Sequence, residues 1–212
     1  MNTGLYYKAI GIFRDQTAID AYPHWTGAKP GDIIFEDVSG DDKIDANDRV
    51  RIDKTDLPTF TSGFAINLQW KGFDFSTLLQ VSMGAVRYIN TESGEIGNFL
   101  KDFYDNRWTA QNPDASYPRT FNRDNVYWRP QQNTFWQHKT DNLRLKNIEL
   151  GYSIPASLLQ KAGIQNLRLY VNGYNMFTYS PDLKDFDPEQ ARNDGQGYPL
   201  QKIANFGLNI TF

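Results

Sequence analysis

Between Asp37 and Asp48 the chain reads Asp-Val-Ser-Gly-Asp-Asp-Lys-Ile-Asp-Ala-Asn-Asp, a dense run of oxygen-bearing side chains. Counting from Asp37, oxygens fall at the first, third, fifth, ninth and twelfth places: Asp37, Ser39, Asp41, Asp45 and Asp48. Lys43, at the seventh, offers its backbone carbonyl, and apolar Ile44 follows as a residue to pack beneath the turn. Ca²⁺ takes roughly six to eight oxygens from a turn that wraps it, and this spacing suits that need. Carboxylates crowded in this way repel one another unless a cation lies among them. The alternative is an acidic, solvated turn, since Asp, Gly and Asn are good loop formers with or without an ion. Both readings stand on the sequence alone. In either case the task is to stiffen a surface loop, not catalysis.

The spacing resembles the calcium loop of EF-hand and dockerin modules, with two departures. Asp42 stands where the sharp turn favours a glycine at positive φ, a region Asp tolerates at some cost. Asp48 stands where a longer, bidentate Glu is usual.

Other chemistry is sparse. There is no cysteine, so thiolate metal sites and cysteine nucleophiles are excluded. No HExxH helix, nucleophile elbow, P-loop or dinucleotide fingerprint occurs, and His24 and His138 sit in separate loops. The chain is therefore expected not to be an enzyme. Paired glycosidase carboxylates, distant in sequence, leave no motif to search for. With 22 Lys and Arg against 25 Asp and Glu, the net charge of −3 argues against nucleic acid as a partner. Tyr127, Trp128, Phe135 and Trp136 lie on one long connection, where aromatic faces serve substrate or partner contact, or pack the loop itself.

The elements that carry these residues show period-2 alternation. Six strands are expected, near 5–13, 62–70, 73–84, 142–154, 166–178 and 203–212. In 64–70, Phe64, Ile66, Leu68 and Trp70 share a face opposite Ala65, Asn67 and Gln69; Phe206, Leu208, Ile210 and Phe212 alternate likewise with Gly207, Asn209 and Thr211. In 143–154 the phase changes between Leu145 and Ile148, which predicts a β-bulge near Lys146-Asn147. Asp74 falls on the polar side; whether Arg144 and Lys146 join it depends on where the bulge lies. Short helices are expected within 94–108 and 155–164, the latter with Leu158, Leu159 and Ile164 turned inward.

Connections between the strands alternate long and short: 14–61, 71–72, 85–141, 155–165 and 180–202. A transmembrane barrel does this, with long loops outside and tight turns on the periplasmic side. Tyr152, Tyr170, Tyr174, Phe177 and Tyr179 then fall near strand ends, where interfacial aromatics belong. No run of 18 apolar residues exists, but barrel strands need none. The opening residues MNTGLYYKAIGIF do not read as a signal peptide. The fold class is thus all-β, antiparallel and up-and-down, the C-terminal segment of a transmembrane β-barrel with long extracellular loops. The competing architecture is a soluble β-sandwich, a glycan-binding module with a structural calcium.

Residues 142–180, with DFDPE at 185–189 and YPLQKIANFGLNITF at 198–212, resemble the C-terminal end of SusC/RagA-type TonB-linked outer-membrane transporters. WTAQNPDASYPR at 108–119 and PGDIIFEDVSGDDKIDANDRVRI at 30–52 resemble segments further upstream in that family. The resemblance implies a large barrel holding a plug in the bacterial outer membrane, importing oligosaccharides or peptides. It implies three partners: a SusD-like surface lipoprotein, TonB, and the lipid around the wall. The plug and the TonB-contacting segment are not found in these 212 residues. Phe206, Leu208, Ile210 and Phe212 take the place of the barrel-assembly signal.

Overall fold

In a computed structural model, residues 4–89, 100–120, 133–160, 163–189 and 200–212 are described. They fall into two compact units, one drawn from 4–56, 86–89, 100–120 and 133–138, the other from 57–85, 139–189 and 200–212.

The first unit is built on short strands. β1 (Leu5–Tyr7), β2 (Ala9–Ile12), β3 (Ile33–Phe35) and β4 (Arg49–Arg51) form two antiparallel pairs, β1 with β4 and β2 with β3. The segment expected as one wall strand, 5–13, is therefore interrupted at Lys8 and pairs locally. Its alternation, Tyr7 and Phe13 inward, serves a small aromatic core. Tyr7, Trp25, Ile33, Phe35, Ile44, Phe103 and Trp136 make up that core, with Trp25 and Phe35 rings 5.3 Å apart. The helix expected in 94–108 appears as α1 (Lys101–Asn106), which turns Phe103 into this core; residues 94–99 lie outside the described set.

The second unit is one antiparallel sheet. β5 (Phe60–Trp70) and β6 (Phe73–Met83) form a hairpin. After the short strands β7 (Val86–Tyr88) and β8 (Gln137–Lys139) come β9 (Asn142–Ser153), β10 (Asn166–Tyr179) and β11 (Ile203–Thr211). The order across the sheet is β11-β10-β9-β6-β5, so five strands, not six, share it. The β5–β6 turn has two central residues, Lys71 and Gly72, at φ 47° and 87°. Positive φ at both is the type I′ geometry whose twist matches that of the strands it joins. Between β9 and β10, Pro155 precedes a single turn, Ala156–Leu159. Leu159 is buried there, but Leu158, expected inward, points to solvent.

The register fixes the faces. Leu68, Phe75, Leu150, Val171 and Phe206 stand in one row across all five strands. Trp70, Phe73, Tyr152, Leu169 and Leu208 form the next. Between them on the opposite face stand Gln69, Asp74, Gly151, Tyr170 and Gly207, and the next row of that face is Asn67, Ser76, Glu149, Asn172 and Asn205. Lys146 is the extra residue: Asn147 opposes Leu78 and Leu145 opposes Leu79, with nothing opposite Lys146. The bulge lies where the phase change in the sequence puts it. No described helix is long and apolar enough to cross a membrane, a statement that does not bear on strands.

Candidate functional site: the polar face and its ion pairs

The apolar rows are left uncovered, with Phe64 57% and Phe206 70% exposed. The polar face is where side chains are joined. Near the β5–β6 turn, Arg168 reaches over the sheet toward Asp74. Its Nε donates to Asp74 Oδ2 at 2.9 Å, and its Nη2 donates to Asp74 Oδ1 and, at 2.6 Å, to Glu149 Oε1. Asn172 donates to the other Glu149 oxygen at 3.2 Å, and Asn205 donates to Asn172 at 2.9 Å. One hydrogen-bonded line thus runs through β6, β10, β9 and β11. A two-pronged guanidinium–carboxylate contact of this kind fixes geometry as well as energy.

Gly151 makes the line sterically feasible. It lies between Asp74 and Tyr170 in the cross-strand register. A Cβ there would stand 2.5 Å from Asp74 Oδ2 and 2.6 Å from Arg168 Nε. Gly207 does the same for Tyr170, whose ring lies over it, with Cε1 2.8 Å from where a Cβ would be. Glycine usually weakens a strand interior, and close approach by another group is a recognised reason to keep it. Large side chains here lie along the sheet instead of standing up from it.

A second group sits toward the other end of the same face. Arg144, 1% exposed, donates from Nη2 to Asp187 Oδ1 at 2.7 Å, and its Nε is 3.5 Å from Glu189 Oε2. Lys146 Nζ meets Glu189 Oε2 at 2.9 Å, and Gln80 donates to Glu189 Oε1 at 3.1 Å. A buried guanidinium is costly unless paired, and removing its partner costs about 3–5 kcal/mol. Asp187 meets that requirement with a hydrogen bond and Glu189 as an ion pair, Nε itself making no hydrogen bond. Asp74 lies on the polar side as expected, and the bulge at Lys146 puts Arg144 and Lys146 there with it. Their partners Arg168, Asp187 and Glu189 are far away in sequence, and no local pattern announces them.

The acidic loop belongs to the first unit and is closed by its own backbone. Asp37 accepts from the N–H of Gly40 at 2.7 Å and of Asp42 at 2.9 Å, while Asp42 adopts φ 61°. Asp41 accepts from Lys43 N–H at 3.1 Å, and Ser39 Oγ donates to Asp41 Oδ1 at 3.1 Å. Asp48 is fully buried. It accepts from Val38 and Ser39 N–H at 3.0 Å each, and from Asp45 N–H at 2.7 Å, while Asp45 caps the turn at Ala46–Asp48. Both oxygens of Asp48 are thus given to the backbone. Among the described residues no three His, Asp or Glu side chains are gathered closely enough to hold a metal ion.

The candidate contact aromatics separate. Trp136 is fully buried, stacked edge-on against Phe135 at 4.9 Å and beside Phe103 at 6.2 Å. It packs the core and has no surface to present to a substrate or partner. Phe135 is half-buried and lines a cleft of about 420 Å³ with Ile10, Ile12 and Ile34. Tyr127 and Trp128 lie outside the described residues. Phe206, Leu208, Ile210 and Phe212 are all exposed, the first three on edge strand β11 and Phe212 just beyond it.

An antiparallel sheet with one continuous apolar face, one charged and hydrogen-bonded face, and alternating long and short connections is the construction of a transmembrane barrel wall. No family model matches the chain. It is 32% identical to TonB-dependent receptor P3 of Formosa agariphila over 97% of its own length and 22% of that protein. It is 26% identical to TonB-dependent receptor SusC of Bacteroides thetaiotaomicron over 100% of its length and 21% of SusC. Among solved structures, the RagAB peptide importer in the open-open state matches 99% of the chain and 22% of that chain, with a TM-score of 0.71 and 26% identity. The chain belongs to the SusC/RagA-like TonB-dependent receptors and spans about a fifth of the length of the relatives it matches.

Burial works to raise the pKa of Asp48, but the N–H donors of Asp45, Ser39 and Val38 outweigh it and hold the carboxyl below 3.8. A lowered folded-state pKa gives stability that is fully present above the unfolded value and lost as pH falls through the folded one. Asp48→Asn should therefore destabilise the first unit by about 1–3 kcal/mol at neutral pH. The gap between wild type and variant should close below about pH 3.8, as followed by urea unfolding at stepped pH. A gap that stays constant to pH 2 would assign the loss to shape and not to charge.

Proposed function

We propose that this chain supplies wall strands and outer loops to a TonB-dependent importer of the bacterial outer membrane. The observation that carries this is the two-faced sheet: apolar rows left uncovered across five strands, and charge pairs confined to the other side. The apolar face meets lipid and the polar face lines the lumen. The substrate class is an oligosaccharide or peptide; the structural likeness to a peptide importer favours the peptide. A SusD-like lipoprotein would cap the outer side, and TonB would act through the plug of the whole receptor. The soluble glycan-binding sandwich finds no support in the comparisons.

Single cysteines in the full-length receptor test the faces. Asn67→Cys should react with a membrane-impermeant maleimide in isolated outer membranes, while Phe64→Cys, three positions away on the same strand, should stay unlabelled. Equal labelling of both would put the apolar face in water and end the lipid assignment.

Phe206, Leu208, Ile210 and Phe212 are proposed as the assembly signal. Deleting Gly207–Phe212 from the full-length receptor should abolish its outer-membrane insertion, measured as surface-exposed protein per cell. Normal surface levels would remove that role.

For the acidic loop, positive φ at Asp42, in the sixth place, favours a Ca²⁺-compatible turn. Asp37, Ser39, Asp41, the Lys43 carbonyl and Asp45 would have to draw together around the ion, since their carboxylates are not gathered in this structure, and Asp48 stays with its backbone donors. Millimolar CaCl₂ should then raise the melting temperature of the full-length receptor, and Asp41→Asn should abolish that rise. An unchanged melt in CaCl₂ and in chelator would leave the loop as a cation-free turn.

A further inference from the structure

β10 ends at Tyr179, and the chain that follows does not simply leave the sheet. Residues 182–189 turn back and lie against the polar face. Asp182 accepts from the Lys139 N–H at 2.6 Å, Leu183 is 6% exposed, and Pro188 is buried. Asp187 and Glu189 then engage Arg144, Lys146 and Gln80, which project from β9 and β6. Asp187 also accepts from the N–H of Glu189 at 2.8 Å, which holds the two carboxylates in one fixed turn over the two cations. Ser82 and Asn142, a facing pair in the next row of the same face, are 7% and 6% exposed.

From this geometry we infer that residues 182–189 form a strap clamped inside the lumen, a fixed constriction that limits the size of what passes along this stretch of wall. The inference rests on the lumen assignment of the polar face. A loop held only by solvent-exposed contacts would open easily, because exposed ion pairs contribute little. Here the anchoring guanidinium is buried at the strap, so its pairs are screened by water less than exposed ones. The strap therefore stays closed under ordinary fluctuation and narrows the lumen permanently, as inward-folded loops do in other barrels. Arg144, Lys146, Asp187 and Glu189 act as positioning residues, and the strap itself sets the limit.

The test uses Ser82→Cys in the full-length receptor, on a background without other cysteines, in isolated outer membranes. Reagents are a small maleimide and a maleimide carrying a polyethylene glycol chain. Ser82→Cys should react with the large reagent at least about tenfold more slowly than Asn67→Cys, which lies on the same face away from the strap. Adding Asp187→Asn and Glu189→Gln should raise that rate about tenfold or more, the size expected for losing charge-assisted hydrogen bonds. The rate at Asn67→Cys should not move. Equal rates of the large reagent at both positions with Asp187 and Glu189 intact would overturn the strap even if the double variant failed to insert. So would an inserted double variant in which Ser82→Cys stays slow. Failure of the lumen assignment reads differently, as labelling of Phe64→Cys by the impermeant reagent.

Discussion

Every side chain of the five long strands must go to one of two faces, and a strand that slips by one residue exchanges them all. Lys146 is what keeps β9 in step. Without the extra residue, either Ile148 and Leu150 or Leu143 and Leu145 would fall on the charged side. In the second case Arg144 would be carried toward the apolar face, away from Asp187 and Glu189. The bulge places Leu145 opposite Leu79 and Asn147 opposite Leu78, so both halves of β9 serve the same faces. β10 adjusts beside it, its pairing shifting between Tyr174 and Phe177. The ion pairs of the polar face and the apolar rows behind them are therefore two consequences of one register.

The strands of the sheet were legible in the sequence because a half-buried strand writes its faces in alternate residues. Phe64, Ile66, Leu68 and Trp70 show this, and the phase break at Lys146 was visible for the same reason. The segment 5–13 alternates as well, yet β1 and β2 pair within a small aromatic core. Period 2 reports that a strand has an inside; it does not report what the inside is. Trp136 shows the same limit, since an aromatic on a long connection reads alike whether it faces a ligand or fills a core. The ion pairs were not legible. Asp74 and Arg168 are 94 residues apart, and only the order β10-β9-β6 brings them together. Gly151 was the available signal: a glycine amid Leu150 and Tyr152 announces that something must lie close above it.

The two charged groups on the polar face have different mechanical meanings. Asp74, Arg168, Glu149, Asn172 and Asn205 all project from strands, so their bonds tie strands already tied by the backbone ladder. Their added effect is to hold side chains flat, which Gly151 and Gly207 permit. Arg144 and Lys146 instead hold a segment that no ladder holds. The same chemistry is redundant in one place and decisive in the other. Surroundings of intermediate burial suit the second task, because Asp187 at 13% and Glu189 at 26% exposure are screened less than surface charges but need not lose all hydration.

Among the described residues β5 and β11 each present one unpaired edge, and both strands are long. Open edges of this length invite pairing, and a soluble domain would blunt them with charge, proline or a covering element. Neither strand carries a charge or a proline: β5 offers Phe60, Phe64, Ile66, Leu68 and Trp70 along its length, and β11 offers Ile203, Phe206, Leu208 and Ile210. An apolar face that is uncovered and two edges that are unblunted make the same demand. In a barrel wall lipid would satisfy the first and further strands the second, since backbone N–H and C=O groups cannot be left unpaired in hydrocarbon. The sheet is thus built to be continued on both sides, a property carried by its residues and consistent with relatives several times its length.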